Sequence, residues 1–374
     1  MAVRYRILLM GAVFLIVFSA FRSLEMFPIP KDDAISQNSF EFSGVLRLWI
    51  SEENSPAAAS LASWLMNESA RFEKKHYGVY VQITQVSAET LSSFSYAAEL
   101  PPDMVVFSPG VLTNRSGLIQ INAGKYPRDE FRGYEDGYAF PIAIGAHAWA
   151  KRSGTGGQQL TGQALLFEEG DEKSALYALL SDAPKSDSST GRYGVDLGLP
   201  DGNHADIKED HSETGEILPG PGSEITKNAL SAFIKGKGDY VFLSSKTLPI
   251  LINASSAPEF EIVLTGKPSI DMVSLFGITD TPKGEKQKMC VSFLMHLLSE
   301  DAQKRLLGAG AFSVRNDITV YSSKKHYALI EEYLLTHTLE LPGAFSKPDK
   351  ANAREQLEAI IEGRKTPRGV IPLS

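Results

Sequence analysis

Metal-binding side chains crowd together once in this 374-residue chain. The run GNHADIKEDH brings His204, Asp206, Glu209, Asp210 and His211 within a few residues of one another, a set able to chelate a divalent ion such as zinc. Their spacing matches no standard site. Metal ligands also need neighbouring groups to orient them, which favours a solvated acidic loop and an expectation of no cofactor. A second acidic pair, Glu52 and Glu53, lies in the loop SEENS. Glycoside hydrolysis requires two carboxyl groups at a fixed separation, and adjacent acids in a loop are ordinarily solvated. The glycine-rich GTGGQQ (154–159) lacks the full phosphate-cradling pattern. The chain contains no Gly-x-Ser-x-Gly, Walker loop, His-Glu-x-x-His or serine-lysine triad, so it is read as a binder and not an enzyme. His147 stands on an apolar, strand-like stretch, where a structural histidine is the plain reading and a ligand-facing one the sharper. Cys290, the single cysteine, falls in an apolar helical pattern and reads as a buried thiol.

Composition limits the partners. Apolar residues make up 43% and charged residues 22%, as in a soluble globular body, and the length suits two lobes. A formal net charge of -8 with no long basic run argues against nucleic acid. The amino terminus is different. Arg4 and Arg6 precede the unbroken apolar run Ile7 to Phe21, which reads as an export signal or a membrane anchor over residues 1–27. No Ala-x-Ala closes the run, so removal and retention both stay open, and no cysteine lies near enough for lipid attachment. The remainder is expected outside the cytoplasm, secreted or tethered by this helix, with residues 28–42 as a stalk.

Several elements must position any site. GVLRLWI (44–50) reads as a strand buried on both faces, followed by a helix with Leu61, Trp64, Leu65 and Phe72 at helical spacing. VYVQI (79–83) alternates as a strand, a helix is expected over residues 88–100, and DMVVF (103–107) is a second buried strand. Alternating strands and helices predict a parallel α/β sheet with ligands at the carboxyl ends of its strands, here the loops at Ser51 and Ser108. DGYAFPIAIGAHAWAKR (136–152) reads as a strand leaving one lobe for another. Residues 181–222 form a polar stretch read as an insertion or a disordered loop. ALSAFIKGKGDYVF gives a helix then a strand, and EFEIVLTG and IDMVSLFGI two further strands. KQKMCVSFLMHLLSEDAQKRLL gives a helix pair in which Ser299 caps the second member.

These stretches together resemble the extracellular solute-binding proteins of sugar-type ABC importers. The similarity is carried by the first strand ending in Trp49, by RFEKKHYGVYVQI, by DMVVFSPG and by YEDGYAFPIAIGAHAWAKR. Most specific is VSFLMHLLSEDAQKRLLGAGAFSVRND with its Ser-x-x-Ala-Gln cap. The resemblance implies a periplasmic-binding-protein-like α/β fold of the second topological type, with two lobes joined by two crossing strands and closing over a ligand. It implies lobe one from residues 43–142 and 270–315, and lobe two from 143–269 and 316–374. It also implies a monomer that captures a small-molecule solute and passes it to a membrane permease. The alternative is a membrane-anchored sensor or surface partner protein using the same fold. One departure bears on the solute: Pro141 is followed by Ile142, where sugar-binding members commonly carry an aromatic. A carbohydrate, a peptide or another polar solute all remain open. The expected ligand contacts are Trp49, Ser51, Glu52, Ser108, Tyr138, His147 and Ser244, each chosen for a strand end or hinge position.

Overall fold

The computed structural model describes residues 42–51, 59–94, 100–121, 134–154, 162–181, 219–264, 268, 270, 272–337, 339, 341–345 and 350–364. Residues 1–27, most of the 28–42 stalk, the greater part of 181–222 with His204, Asp206 and His211, and Glu52 lie outside the described residues.

The first lobe is built on β1 (Gly44–Ile50), β2 (Val79–Gln85), β3 (Met104–Phe107), β4 (Phe140–Ile144) and β10 (Val273–Ile278), in the order β2-β1-β3-β10-β4. β1 pairs in parallel with β2 and β3, while β10 runs antiparallel to β3 and β4. All four residues of β3 are buried, as expected of a strand covered on both faces. β1 departs from that expectation. Leu46, Leu48 and Ile50 are fully buried, but Val45 is exposed and Arg47 and Trp49 are half-buried. Its neighbour β2 is the sheet edge, followed by α2 (Ala88–Ser92), and the described residues cover the face of β1 that carries Val45, Arg47 and Trp49 only in part.

Helix α1 (Ala59–Lys75) packs on the other face. Its buried side chains are Leu61, Trp64, Leu65, Glu68, Ser69 and Phe72, a stripe at the three-and-four spacing of one helix face. Each large apolar member contributes about 1.5–3 kcal/mol by leaving water. The stripe meets α6 (Gly284–Leu297) and α7 (Glu300–Lys304): Phe72 packs edge-on to Phe293 at 5.1 Å, and the Trp64 indole donates to the Ala302 carbonyl at 3.1 Å. Ser299 caps α7 as its sequence suggests, its Oγ accepting from the Ala302 amide at 3.4 Å. Cys290 is fully buried in α6, and burial pushes its thiol up to about 12.

The second lobe is a three-layer sandwich. Its sheet, ordered β7-β6-β8-β5-β9, comprises β5 (His147–Arg152), β6 (Leu165–Glu168), β7 (Glu224–Thr226), β8 (Tyr240–Ser244) and β9 (Phe260–Val263). Alternation divides each strand between two cores. Trp149, Leu165, Phe167, Tyr240 and Phe242 point to one side, with α3 (Glu172–Ser181) and α9 (Lys350–Ile361). Ala150, Leu166, Val241 and Leu243 point to the other, with α4 (Ala229–Ile234) and α5 (Leu248–Asn253).

The turn from α4 into β8 shows why glycine is needed there. Gly238 has φ +65°, and a Cβ would lie 2.7 Å from Leu166 Cγ. Gly238→Ala is expected to lower unfolding free energy by about 2 kcal/mol in chemical denaturation, combining a left-handed backbone with overpacking. Gly236→Ala, at φ +95° with nothing within 4 Å, should show only the backbone part, about 1 kcal/mol. Equal losses at both sites would refute the packing component.

The chain passes between the lobes three times: β4 leads to β5 through Gly145 and Ala146, β9 returns to β10, and the stretch after residue 345 leads back to the second lobe. Residues 316–374, expected together in lobe two, divide. Ile318, Val320, Tyr321 and, from α8 (Lys325–Thr336), Tyr327, Ile330 and Leu334 join the large core of the first lobe, whereas Leu357 and Ile360 of α9 pack against α3 in the second.

Candidate functional site

Strand direction defines the edge at which a ligand would meet each sheet. In the first lobe β1, β2, β3 and β4 all end at one edge, marked by Ser51, Val86, Ser108 and Ile144, and β10 starts there at Val273. Ser51 extends the ladder beyond β1, its amide donating to the Val106 carbonyl at 2.9 Å. The residue is 2% exposed, yet its Oγ has no hydrogen-bond partner among the described residues. A buried hydroxyl without a partner is unfavourable until a ligand or water supplies one. Ser108 is buried at the end of β3, where its carbonyl accepts from the Val111 amide at 3.2 Å.

The second lobe contributes the ends of β6 and β8 and the start of β5. His147 and Ser244 sit directly opposite each other in the β5–β8 ladder. His147 is buried, stacks on Phe242 with ring centroids 5.0 Å apart, and places Nε2 3.6 Å from the Asp171 carboxylate. Ser244 closes onto Thr247, whose hydroxyl donates to the Ser244 carbonyl at 3.0 Å. The hinge is pinned beside them: Ser245 donates its amide to the Ala146 carbonyl at 2.7 Å, and Gly145 donates to Met272 at 2.6 Å. Since only Gly145 and Ala146 separate Ile144 from His147, the carboxyl edge of the first sheet adjoins the second at this point.

Thus Ser51, Ser108, His147 and Ser244 fall at the two sheet edges that the hinge brings next to each other. Trp49 shares the face of β1 with Ser51 but is a half-buried sheet residue packed against the core. Tyr138 does not join the group. It precedes the amino end of β4, which lies at the opposite edge of the sheet, and its ring sits under the Arg115 guanidinium at 5.2 Å. A strand that leads into a hinge carries its early residues away from the cleft, and sequence order alone hides that. Glu52 lies outside the described residues.

Two contributors were not anticipated. Asp171 occupies the turn between β6 and α3, a strand-to-helix join that is itself the legible signal. Residues 344 and 345 run past the end of β3: Gly110 donates to the Ala344 carbonyl at 2.8 Å, and Phe345 stacks on Phe107 at 6.3 Å. Among the described residues no group of three or more His, Cys, Asp or Glu is placed to hold a metal ion, and no helix is long and apolar enough to cross a membrane.

No protein-family model matches the chain, and no curated protein matches it. Solved structures do. A cyclic alpha-maltosyl-1,6-maltose binding protein from Arthrobacter globiformis superposes with a TM-score of 0.59 at 12% identity, over 87% of this chain and 95% of that one. The GacH receptor of Streptomyces glaucescens, solved unliganded and with acarbose, gives 0.56 at 13% identity, over 88% and 95%. Iron-bound HitA from Pseudomonas aeruginosa gives 0.52 at 14% identity, over 84% and 99%. The fold is therefore the two-lobed, periplasmic-binding-protein-like α/β fold, and the proteins named here are described as receptors or by the ligand they bind.

Proposed function

We propose that this chain is an extracytoplasmic solute receptor that captures a carbohydrate in the interlobe cleft and delivers it to the permease of an ABC importer. What supports the reading is that Ser51 and Ser108 lie at the carboxyl edge of the first sheet, and His147 and Ser244 at the edge of the second sheet that follows the hinge. Three hydroxyls and an imidazole suit a neutral, hydrogen-bonding solute, and the sugar and acarbose ligands of two fold neighbours support the same class. Closure of the lobes would be driven by ligand contacts made only in the closed form. Ile7 to Phe21 serves as the tether, since no small-residue cleavage pattern closes the run and the chain's single cysteine lies far from it.

A thermal-shift screen against mono- and oligosaccharides, peptides, polyamines and divalent metals tests the cargo, because a ligand that binds only the folded state raises the melting temperature. Oligosaccharides are expected to give the shift. Ser51→Ala should then weaken sugar binding by about tenfold while leaving the melting point of the free protein unchanged or higher, because it removes a buried hydroxyl that has no partner among the described residues. A shift with peptides alone would refute the carbohydrate reading, and unaltered affinity in a Ser51, Ser108, His147 and Ser244 alanine combination would refute the site.

A further inference from the structure

The edge of the first sheet remote from Ser51 and Ser108 carries a surface that the described residues leave uncovered. The chain enters it at Phe42. Ser43 donates its hydroxyl to the Gly78 carbonyl at 3.0 Å, and the Gly44 amide donates to the same carbonyl at 2.9 Å, so the entry point is bound to the turn between α1 and β2. That turn presents Tyr77 at 84% exposure, and β2 presents Tyr80 at 62% beside its ladder partner Val45 at 40%. Lys74 and Lys75 end α1 immediately before it, both exposed. The nearest carboxylate in sequence, Glu73, is engaged by the Val81 amide at 2.7 Å.

We propose that this corner, formed by Val45, Lys74, Lys75, Tyr77 and Tyr80, rests on the anionic lipid surface of the membrane from which the chain emerges. The proposal relies on the reading of Ile7 to Phe21 as a retained tether. Tyrosine suits the headgroup layer because an apolar ring carries a polar tip, and lysines gain from the negative surface potential. Chain connectivity supports the occupant. Residues 22–41 separate the apolar run from Phe42, so even at full extension the entry corner stays within about 70 Å of the bilayer. The corner is the part of the described body that the chain reaches first after the apolar run.

The test uses the full chain in vesicles of phosphatidylglycerol and brominated phosphatidylcholine. Gln82→Cys, exposed on the outer face of β2, and Lys246→Cys, exposed in the second lobe, each take an environment-sensitive fluorophore, while buried Cys290 stays unlabelled. Quenching by brominated lipid should be several-fold stronger at position 82 than at 246. The difference should vanish when Lys74, Lys75, Tyr77 and Tyr80 are all replaced by serine, with the melting temperature kept as a check on folding. Equal quenching at both positions, or a difference that survives the fourfold replacement, overturns the lipid contact. Failure of the unaltered chain to float with vesicles overturns the tether and the contact together, which separates the two readings.

Discussion

Replacing Glu68 with alanine lowers the unfolding free energy by about 3 kcal/mol, the lower end of what breaking a buried ion pair costs. Glu68 is fully buried on the core-facing stripe of α1. Arg305 grips both of its oxygens, at 2.6 and 2.8 Å, and His296 Nε2 lies 3.2 Å away. Removing the carboxylate leaves the guanidinium and the imidazole facing each other with no anion between them. Arg305 is about one-third exposed, so water recovers part of the loss, which keeps the expected value below the upper end of the range. The same cluster sets an acid limit on stability. Burial alone would raise the Glu68 carboxyl, but the hydrogen bonds and charges of Arg305 and His296 outweigh it and hold the group at about 2, against an ordinary value of 4.5. A carboxylate depressed in the folded state adds stability that is complete above its unfolded value and is lost as pH falls toward the folded one. The contribution, about 3 kcal/mol, should therefore disappear between roughly pH 4.5 and pH 2. Denaturant titrations across that window should show a steep slope in the parent and a shallower one in Glu68→Gln. Identical slopes would mean the cluster is not what limits acid stability.

Gln303→Met is expected to cost about 4 kcal/mol although it preserves the shape of the side chain, because four buried polar groups lose their partner. The Gln303 amide nitrogen donates to the carbonyls of Ile142 at 3.0 Å and Leu297 at 2.9 Å. Its carbonyl oxygen accepts from the Ser313 hydroxyl at 2.9 Å and the Val314 amide at 3.0 Å. One side chain thereby ties α7 to the hinge strand β4 and to the turn at 313–314. Hydrogen exchange gives a local reading: the Val314 amide should lose protection well beyond the fall in global stability. A loss below about 1 kcal/mol would show that neighbouring groups satisfy themselves and that the network is redundant.

Much of the framework was legible from periodicity. The stripe of α1, the buried strand β3, the helix capped by Ser299 and the helix-then-strand unit α4–β8 each appear where local pattern placed them. The failures have a common cause. β1 reads as apolar throughout, yet its exposure depends on what covers each face, and next to an edge strand the described residues cover one face only in part. Glu68, in the middle of α1, carries no local signal of its partners. Its burial becomes visible only when Arg305, distant in sequence, arrives from the far end of the chain. Tyr138 and His147 belong to one continuous stretch, but β4 runs between them, leaving Tyr138 at the amino edge of the first sheet and His147 in the second sheet beyond its carboxyl edge.

By itself, then, the order of residues determined which segments are helix and which are strand, where apolar faces lie, and that the amino-terminal run differs in kind from the body, because these follow from side-chain period and composition within a few turns of chain. Tertiary structure alone decided which strand ends meet at the hinge, that Asp171 stands beside His147, that residues 344 and 345 run past β3, and that Tyr77 and Tyr80 are left uncovered at the corner where the chain enters. Those outcomes depend on strand order and direction across hundreds of residues, and many sequences with the same local pattern would satisfy other pairings.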